Sequence, residues 1–273
     1  MKSSLLKAPI RLIVADLDGT VLTSGKQITD STRDAIVACR EKGVRVIFAS
    51  ARPPRSVQPF YEKCGLDTPQ INYNGSLIVD PVKKITMLHR PLDAELTQDI
   101  IHQARDRFRQ CLISLEVLDR WYTDRVSNAY QTETSRSFRP NKVAPLDDFL
   151  DQPITKMMLL GPVAMIDDLE RRLNKQFADQ VHLVRQELQI LQIMSRKASK
   201  VQALIKLADH LNVRQAEVLA IGDAQNDVGI IQWSGLGVAM GNACSRALRE
   251  ADYITASNDD DGVARAFKKF ILG

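Results

Sequence analysis

Two acidic turns hold most of the residues in this sequence that could do chemistry. In the first, Asp16-Leu17-Asp18-Gly19-Thr20 directly follows a mostly apolar run, Ile10 to Ala15. In the second, the run Val218 to Gly222 leads into Asp223-Ala224-Gln225-Asn226-Asp227. Carboxylates at i and i+2 can face one sheet edge where the chain turns, and Gly19 eases such a turn. Isolated Asp-x-Asp-Gly is often just a capped, solvated turn, and a calcium loop is a further reading. The calcium loop fails: counted from Asp16, the twelfth position, which needs a Glu, is Gln27. Carboxylates with an amide nearby suit a hard cation held through oxygen, and with Asp16 the second turn suits Mg²⁺ together with a phosphate oxygen. Two isolated groups could join them. Ser50 ends the strand-like run Val44 to Ala49, and Lys200 sits in the first turn of a patterned helix. A lysine there opposes the helix dipole. It is either an exposed side chain or, with the helix N-terminus, a partner for an anion.

These groups lie far apart in the chain, so the fold must converge them. An apolar run ending in Asp16 is followed by a helix pattern over about Asp30 to Lys42, with Gly43 as its stop. The strand Val44 to Ala49 comes next, and Pro53-Pro54 opens a short helix. A further apolar segment leads to Asn74-Gly75. This strand–helix alternation predicts a parallel sheet covered on both faces. Between about residues 80 and 195 the texture changes. Leu92, Leu96, Ile100, Ala104 and Phe108 mark one amphipathic helix; Ile166, Leu169, Leu173 and Phe177 mark another. A hairpin over Leu112 to Asp124, a strand over Ile154 to Leu160, and paired strands Val181 to Arg185 and Leu188 to Met194 complete a separate α+β unit. After residue 195 the first texture returns. A helix covers about Ser199 to Leu211, and strands Val218 to Gly222, Leu236 to Ala239 and Tyr253 to Thr255 follow, with helices from Ala243 and Gly262. The expected domains are therefore an α/β core, 1–82 and 194–273, with an α+β insert, 83–193. In an open parallel sheet ligands bind beyond the carboxyl ends of the strands, which is where Asp16, Ser50 and Asp223 stand.

At these residues the chain resembles the haloacid dehalogenase superfamily, and within it the Cof-type phosphatases of subfamily IIB. The first motif matches as Asp16-Leu17-Asp18-Gly19-Thr20-Val21-Leu22, the second as Phe48-Ala49-Ser50-Ala51-Arg52, and the fourth as Gly222-Asp223 through Asn226-Asp227. The lysine motif resembles Ala198-Ser199-Lys200-Val201, with Lys197 as the alternative lysine. Secondary signatures are Asn72-Tyr73-Asn74-Gly75, Gly237 to Ala243, and Ser257-Asn258 to Asp261-Gly262-Val263-Ala264. The resemblance implies an α/β fold: a Rossmannoid parallel-sheet core with a large inserted α+β cap that sets specificity.

It also implies a Mg²⁺-dependent phosphomonoester hydrolase working through an aspartyl-phosphate. Asp16 would be the nucleophile, ionised at an ordinary aspartate pKa. Asp18 would be the acid and base. Ser50, the Ala51 backbone and Lys200 would hold the phosphate. Asp16, the Asp18 carbonyl, Asp223 and Asp227 would hold Mg²⁺, and Asn226 would orient Lys200 or a ligand. Asn74 and Arg52 are candidate substrate contacts, and Trp121, Tyr122, Tyr130, Arg136, Phe138 and Arg139 are the available cap side chains. The expected substrate is a small phosphorylated metabolite: a sugar phosphate, nucleotide, flavin mononucleotide or pyridoxal phosphate. A phosphotransferase or phosphomutase of the same superfamily is the alternative. A non-catalytic phosphate-binding protein is disfavoured because Asp16, Asp18 and Asp227 are all present. A dinucleotide site at Gly235-Leu236-Gly237 and Gly241 is disfavoured too, since these glycines straddle a strand rather than open a helix.

Composition sets outer limits. The 273 residues carry a formal net charge of +4, with 44% hydrophobic and 26% charged residues, which excludes a disordered, collagenous or disulfide-scaffold chain. Lys83-Lys84 and Arg171-Arg172 are short basic runs, so no nucleic-acid partner is expected. No apolar run approaches ~18 residues, so no membrane partner is expected. Leu5-Leu6, broken by Lys7 and Pro9, is too short for a signal-peptide core. Four scattered cysteines, Cys39, Cys64, Cys111 and Cys244, read as reduced thiols of a cytoplasmic protein. A built-in cap suits a monomer or weak homo-oligomer.

Overall fold

The computed structural model describes Leu6 and residues 8–273. The Leu5–Lys7 stretch weighed above as a leader therefore lies outside the described residues, except for Leu6. The chain forms two compact units. One runs to Met87 and resumes at Ser199–Gly273; the other is Leu88–Ala198. The expected insert began at 83 and ended at 193, whereas the contacts divide the chain at 88 and 198. Ile85–His89, which the residue pattern did not bound, runs across the first division, and the strand Ile190–Ser195, expected as Leu188 to Met194, belongs wholly to the second unit.

The first unit opens with β1 (Leu12–Ala15), α1 (Asp30–Glu41), β2 (Arg45–Phe48), α2 (Pro54–Lys63), β3 (Gln70–Asn72), β4 (Leu77–Asp80) and β5 (Ile85–His89). In the second unit come α3 (Ala94–Arg107), β6 (Leu112–Val117), β7 (Arg120–Thr123), α4 (Glu133–Ser137), β8 (Lys142–Val143), β9 (Lys156–Leu160), α5 (Val163–Phe177), β10 (Val181–Glu187) and β11 (Ile190–Ser195). The first unit then resumes with α6 (Lys200–His210), β12 (Val218–Gly222), α7 (Val228–Trp233), β13 (Leu236–Ala239), α8 (Ser245–Glu250), β14 (Tyr253–Ile254) and α9 (Gly262–Phe267). Among the described residues no helix is long and apolar enough to cross a membrane.

The central sheet of the first unit is five-stranded, in the order β14-β13-β12-β1-β2, and every pairing in it is parallel. Leu12, Ile13, Val14 and Ala15 are all fully buried, as a strand covered on both faces requires. Ile13, Ala15, Val46, Phe48, Leu219 and Ile221 share one core with residues of α1, α2 and α9. From β1 the chain steps to β2 on one side and later returns to β12 on the other. The switch point therefore lies between β1 and β12, where a crevice opens beyond the strand ends.

β2 is an edge strand of this sheet, and its outer groups are nevertheless satisfied. Ser50 N–H donates to Ile71 O at 2.9 Å, next to an Ala49–Ile71 bridge. The Tyr61 hydroxyl accepts from Phe48 N–H at 3.2 Å and donates to Pro69 O at 2.9 Å. Tyr61 is fully buried and its ring meets Phe48 edge-on, at 5.3 Å between centroids. This one phenol ties the end of β2 to the approach of β3, and so fixes the segment that carries Ser50 to the one that carries Asn74.

In the second unit the sheet order is β10-β11-β9-β6-β7-β8, antiparallel except for the β7–β8 pair. α3 and α5 bury Leu96, Ile100, Ile166, Leu169 and Leu173 against one face of it. One helix start differs from expectation. α8 begins at Ser245 rather than Ala243, because Ala243 N–H bonds to Met240 O and Cys244 N–H bonds to Asp223 O. Those two residues form the turn beneath Asp223 instead of a helical turn.

Tyr61→Phe keeps the ring contact but strips two buried backbone groups of their partner. It is expected to cost about 1–3 kcal/mol in urea denaturation; an unchanged midpoint would show that the hydroxyl does not hold this edge.

Candidate active site

Asp16 is the first residue after β1, and its N–H donates to Ile221 O at 3.0 Å. That bond continues the β1–β12 pairing one residue past the strand and aims Asp16 at the switch point. Asp223 follows β12 directly. Thr20, from the turn after Asp16, donates its hydroxyl to Asp223 Oδ1 at 2.8 Å. Gly19 permits this approach: φ is +81°, and an added Cβ would lie 2.4 Å from Asp223 Oδ2.

Asp227 is held by its own loop. Its Oδ2 accepts from the N–H groups of Asp223 and Ala224, at 3.2 and 2.9 Å. Its Oδ1 is thereby free to face Lys200, whose Nζ lies 2.7 Å from Asp227 Oδ1 and 2.6 Å from Asp16 Oδ1. Lys200 is 2% exposed and Asp227 is fully buried. The helix pattern explains the lysine's position. Lys200, Ala203, Leu204, Leu207 and Ala208 form the buried stripe of α6. The alternative lysine, Lys197, is exposed.

Asp16, Asp223 and Asp227 each offer a carboxylate oxygen, and these oxygens lie within 4.8 Å of one another. Three carboxylates share one ammonium, so ionising all of them leaves negative charge uncompensated. The electrostatic consequence is a set of displaced pKa values. Burial, then Asp227, pushes Asp16 well above the ordinary aspartate value; Lys200 opposes this and Asp223 adds to it. The expectation of an ordinary value for Asp16 is corrected accordingly for the carboxylates and Lys200 alone. For Lys200 burial works downward, but Asp16 and Asp227 outweigh it and hold the ammonium charged. Asp223 is pushed up to about 6, by burial first, with the Thr20 hydrogen bond opposing and Asp227 reinforcing. A carboxyl raised in the fold binds its proton more tightly there than in the unfolded chain. The cost of ionising Asp223 is therefore full above pH ~6 and is relieved as pH falls toward ~4.

Asp18 has different surroundings. Arg52 grips it through two bonds, Nε to Oδ2 at 2.7 Å and Nη2 to Oδ1 at 2.6 Å, and Lys26 Nζ lies 2.7 Å from Oδ1. Burial acts to raise the Asp18 carboxyl, but Arg52 and then Lys26 outweigh it and hold it below the usual range. Its carboxylate is thus outside the three-carboxylate cluster. Arg52, expected as a substrate contact, is here the orienting partner of Asp18.

A third group of residues surrounds Ser50. Its hydroxyl accepts from Arg52 N–H at 3.1 Å, with Ala51 between them in the bend, and its carbonyl accepts from Asn74 N–H at 3.0 Å. Asn226 donates to Asn74 Oδ1 at 2.8 Å. Asn226 was expected to orient Lys200 or a ligand; what it orients here is Asn74. Tyr73, Asn74 and Gly75 all have positive φ, at 48°, 55° and 94°. Such a strained run persists only where its surroundings enforce it. At Gly75 the reason is direct: an added Cβ would lie 2.2 Å from Ser199 O, at the residue that caps the helix carrying Lys200.

Thr20, Lys26 and Gly75 are the residues that sequence reasoning left without a role. Thr20 stood inside the first motif, and Gly75 inside a quoted signature. Lys26 carried no signal beyond its charge. Of the cap side chains, Tyr122 is packed into the second unit's core, stacked on Phe149 at 4.6 Å. Arg136 is paired with Glu133.

Comparison with known proteins shows the family. The family model described as haloacid dehalogenase-like hydrolase matches residues 13–267. The putative phosphatase YxeH of Bacillus subtilis (strain 168) is 29% identical, over 96% of this chain and 98% of that protein. From the same organism, the 5-amino-6-(5-phospho-D-ribitylamino)uracil phosphatase YitU is 26% identical, over 95% of this chain and 97% of its own length. The crystal structure of a haloacid dehalogenase-like hydrolase from Bacteroides thetaiotaomicron superposes with a TM-score of 0.86, at 28% identity, covering 96% of this chain and 100% of that one.

Gly75→Ala and Gly43→Ala separate strain from collision. Both positions have positive φ, but a Cβ at Gly43 meets nothing within 4 Å. Gly75→Ala is expected to cost about 1–3 kcal/mol more than Gly43→Ala in urea denaturation. Equal costs would mean that Ser199 is not held against Gly75.

Proposed function

Since this chain belongs to the haloacid dehalogenase-like hydrolases and is a phosphatase, we propose that it hydrolyses a small phosphorylated metabolite through an aspartyl-phosphate on Asp16, with Mg²⁺ as cofactor. The observation that carries this reading is the Lys200 ammonium bridging Asp16 and Asp227 beside Asp223.

The donor set fits a divalent cation. All three candidate groups are carboxylates, hard oxygen donors suited to Mg²⁺, and they outnumber the one ammonium beside them. Asp16, Asp223 and Asp227 would hold the ion, with the Asp18 carbonyl as the fourth protein ligand. When bound, it would neutralise negative charge on the phosphate and on the carboxylates.

The chain's own residues supply the rest. An Asp16 carboxylate oxygen attacks phosphorus, the ester P–O bond breaks, and the leaving oxygen takes a proton. Lys200 holds one Asp16 oxygen and adds positive charge where the phosphoryl group must approach. Ser50 offers a hydroxyl to the phosphate, and the Ala51 backbone N–H a second donor. Asp18 gives the proton to the leaving oxygen, then takes one from the water that attacks phosphorus and frees Asp16. Arg52 and Lys26 hold Asp18 ionised, the form needed to accept that proton. For the first step Asp18 must loosen from them and carry a proton. The buried free thiols Cys39, Cys64 and Cys111 support a reducing, cytoplasmic setting for this activity.

With p-nitrophenyl phosphate, turnover is expected to require Mg²⁺ and to disappear on chelation. Asp16→Asn is expected to lower it by about a hundredfold or more. Asp18→Asn is expected to slow turnover and leave a phosphate adduct visible by mass spectrometry. Full activity in Asp16→Asn would overturn the mechanism.

A further inference from the structure

The last two strands of the central sheet, β13 and β14, bring no carboxylate to the cluster. Their pairing is parallel, so both end on the same side of the sheet as β1 and β12. The loops beyond them carry Asn242 and residues 257–261, which the steps of the reaction leave unused.

These loops run over the turn that carries Asp18. Asn242 Nδ2 donates to Gly19 O at 2.8 Å, and Asn242 Oδ1 accepts from Asn258 N–H at 3.0 Å. Only one orientation of the amide serves both, since one partner is a carbonyl and the other an N–H. Asn258 Nδ2 in turn donates to Leu22 O at 2.9 Å. Further along, Ser24 donates its N–H and its hydroxyl to Asp259, at 2.8 and 2.6 Å, and Thr29 donates its hydroxyl to Asp261 at 2.6 Å.

The same short segment reaches the second acidic turn. Two residues after Asn242, Cys244 N–H donates to Asp223 O at 2.8 Å, and Ala243 N–H closes the segment on Met240 O at 3.0 Å. Residues 242–244 therefore hold Gly19 at one end and Asp223 at the other. Around the held Gly19 carbonyl stand two groups that matter to the cluster. The Asp18 carbonyl is one peptide before it. Thr20 is one residue after it, with its hydroxyl on Asp223 Oδ1. Glycine at φ +81° turns with little resistance of its own, so an external bond to its carbonyl fixes the peptides on either side. Asn242 is exposed. Its side chain fills no core space, and what it contributes is direction.

We propose that Asn242 is a positioning residue for the cation. Its bond to Gly19, with the Cys244–Asp223 bond behind it, sets where the Asp18 carbonyl and the Asp223 carboxylate stand relative to each other, and so the affinity for the ion. Ligands drawn from separate loops bind tightly only when they are held in place beforehand. The proposal rests on the Mg²⁺-dependent reading and extends it to a residue that touches neither metal nor phosphate.

The test is Mg²⁺ binding to the substrate-free full chain by isothermal titration calorimetry, beside the Mg²⁺ dependence of p-nitrophenyl phosphate turnover. Asn242→Ala removes both bonds, and Asn242→Leu removes them while keeping the size. Each is expected to weaken Mg²⁺ by about tenfold in both measurements, with saturating Mg²⁺ restoring most of kcat. Ser24→Ala loosens the same two segments away from Gly19. It is expected to lower the Tm and leave Mg²⁺ affinity unchanged. Wild-type affinity in both Asn242 variants would overturn the proposal. So would an equal loss in Ser24→Ala, which would make the effect one of general loosening. A wild type that binds no Mg²⁺ and turns over without it would instead overturn the metal-dependent reading, and the role of Asn242 with it.

Discussion

Three carboxylates forced together in a buried place repel one another, and the first unit is built around that repulsion. Asp16, Asp223 and Asp227 come within 4.8 Å through their oxygens, with a single ammonium between two of them. No local sequence preference would assemble this group. It exists because β1 and β12 are adjacent parallel strands whose ends must share one crevice. It also requires α6 to deliver Lys200 on its buried face, and the loop after β12 to cap Asp227 with two N–H groups. Removing the Lys200 ammonium would leave the carboxylates uncompensated, which is why such a buried cluster is costly to break at that residue even when it adds little net stability. The strained Tyr73–Gly75 run and the close approach at Gly19 are further consequences, since both exist to let a backbone or side chain reach this point.

Two aspartates separated by one residue are given opposite electrostatic environments. Asp16 is pushed upward by burial and by its carboxylate neighbours, while Asp18 is pulled downward by Arg52 and Lys26. Such a divergence is how one short motif can supply groups with different tasks. The separation comes from direction: one side chain turns toward β12 and α6, the other toward the bend after β2. Arg52 matters here because it follows Ser50 closely, so the segment that offers a hydroxyl also holds Asp18.

Much of this was legible in the residues. The two acidic turns, the parallel alternation of the core and the two-fold texture of the chain follow from periodicity and from where apolar runs stop. The buried position of Lys200 was not settled: it falls in step with Ala203, Leu204, Leu207 and Ala208, but a lysine at a helix start is ordinarily exposed, and Lys197 stood as the alternative. What escaped was set by three-dimensional proximity. Nothing in Arg52 or Lys26 says that they meet Asp18, and nothing in Asn226 says that it meets Asn74, 152 positions away. The change of texture near residues 80 and 195 announced two units, but their bounds were less legible, because β5 crosses the first division.

The central claim is that the surplus negative charge of Asp16, Asp223 and Asp227 is a site for a divalent cation. Thermal unfolding of the wild type with increasing Mg²⁺, beside Asp227→Asn, tests it without reference to turnover. A ligand that binds only the fold adds about 2.7 kcal/mol at ~100 times its Kd, so the wild-type Tm is expected to climb by several degrees, rising with the logarithm of the Mg²⁺ concentration above Kd, while Asp227→Asn stays flat. A wild-type Tm that ignores Mg²⁺, or an Asp227→Asn variant that rises just as far, would contradict it.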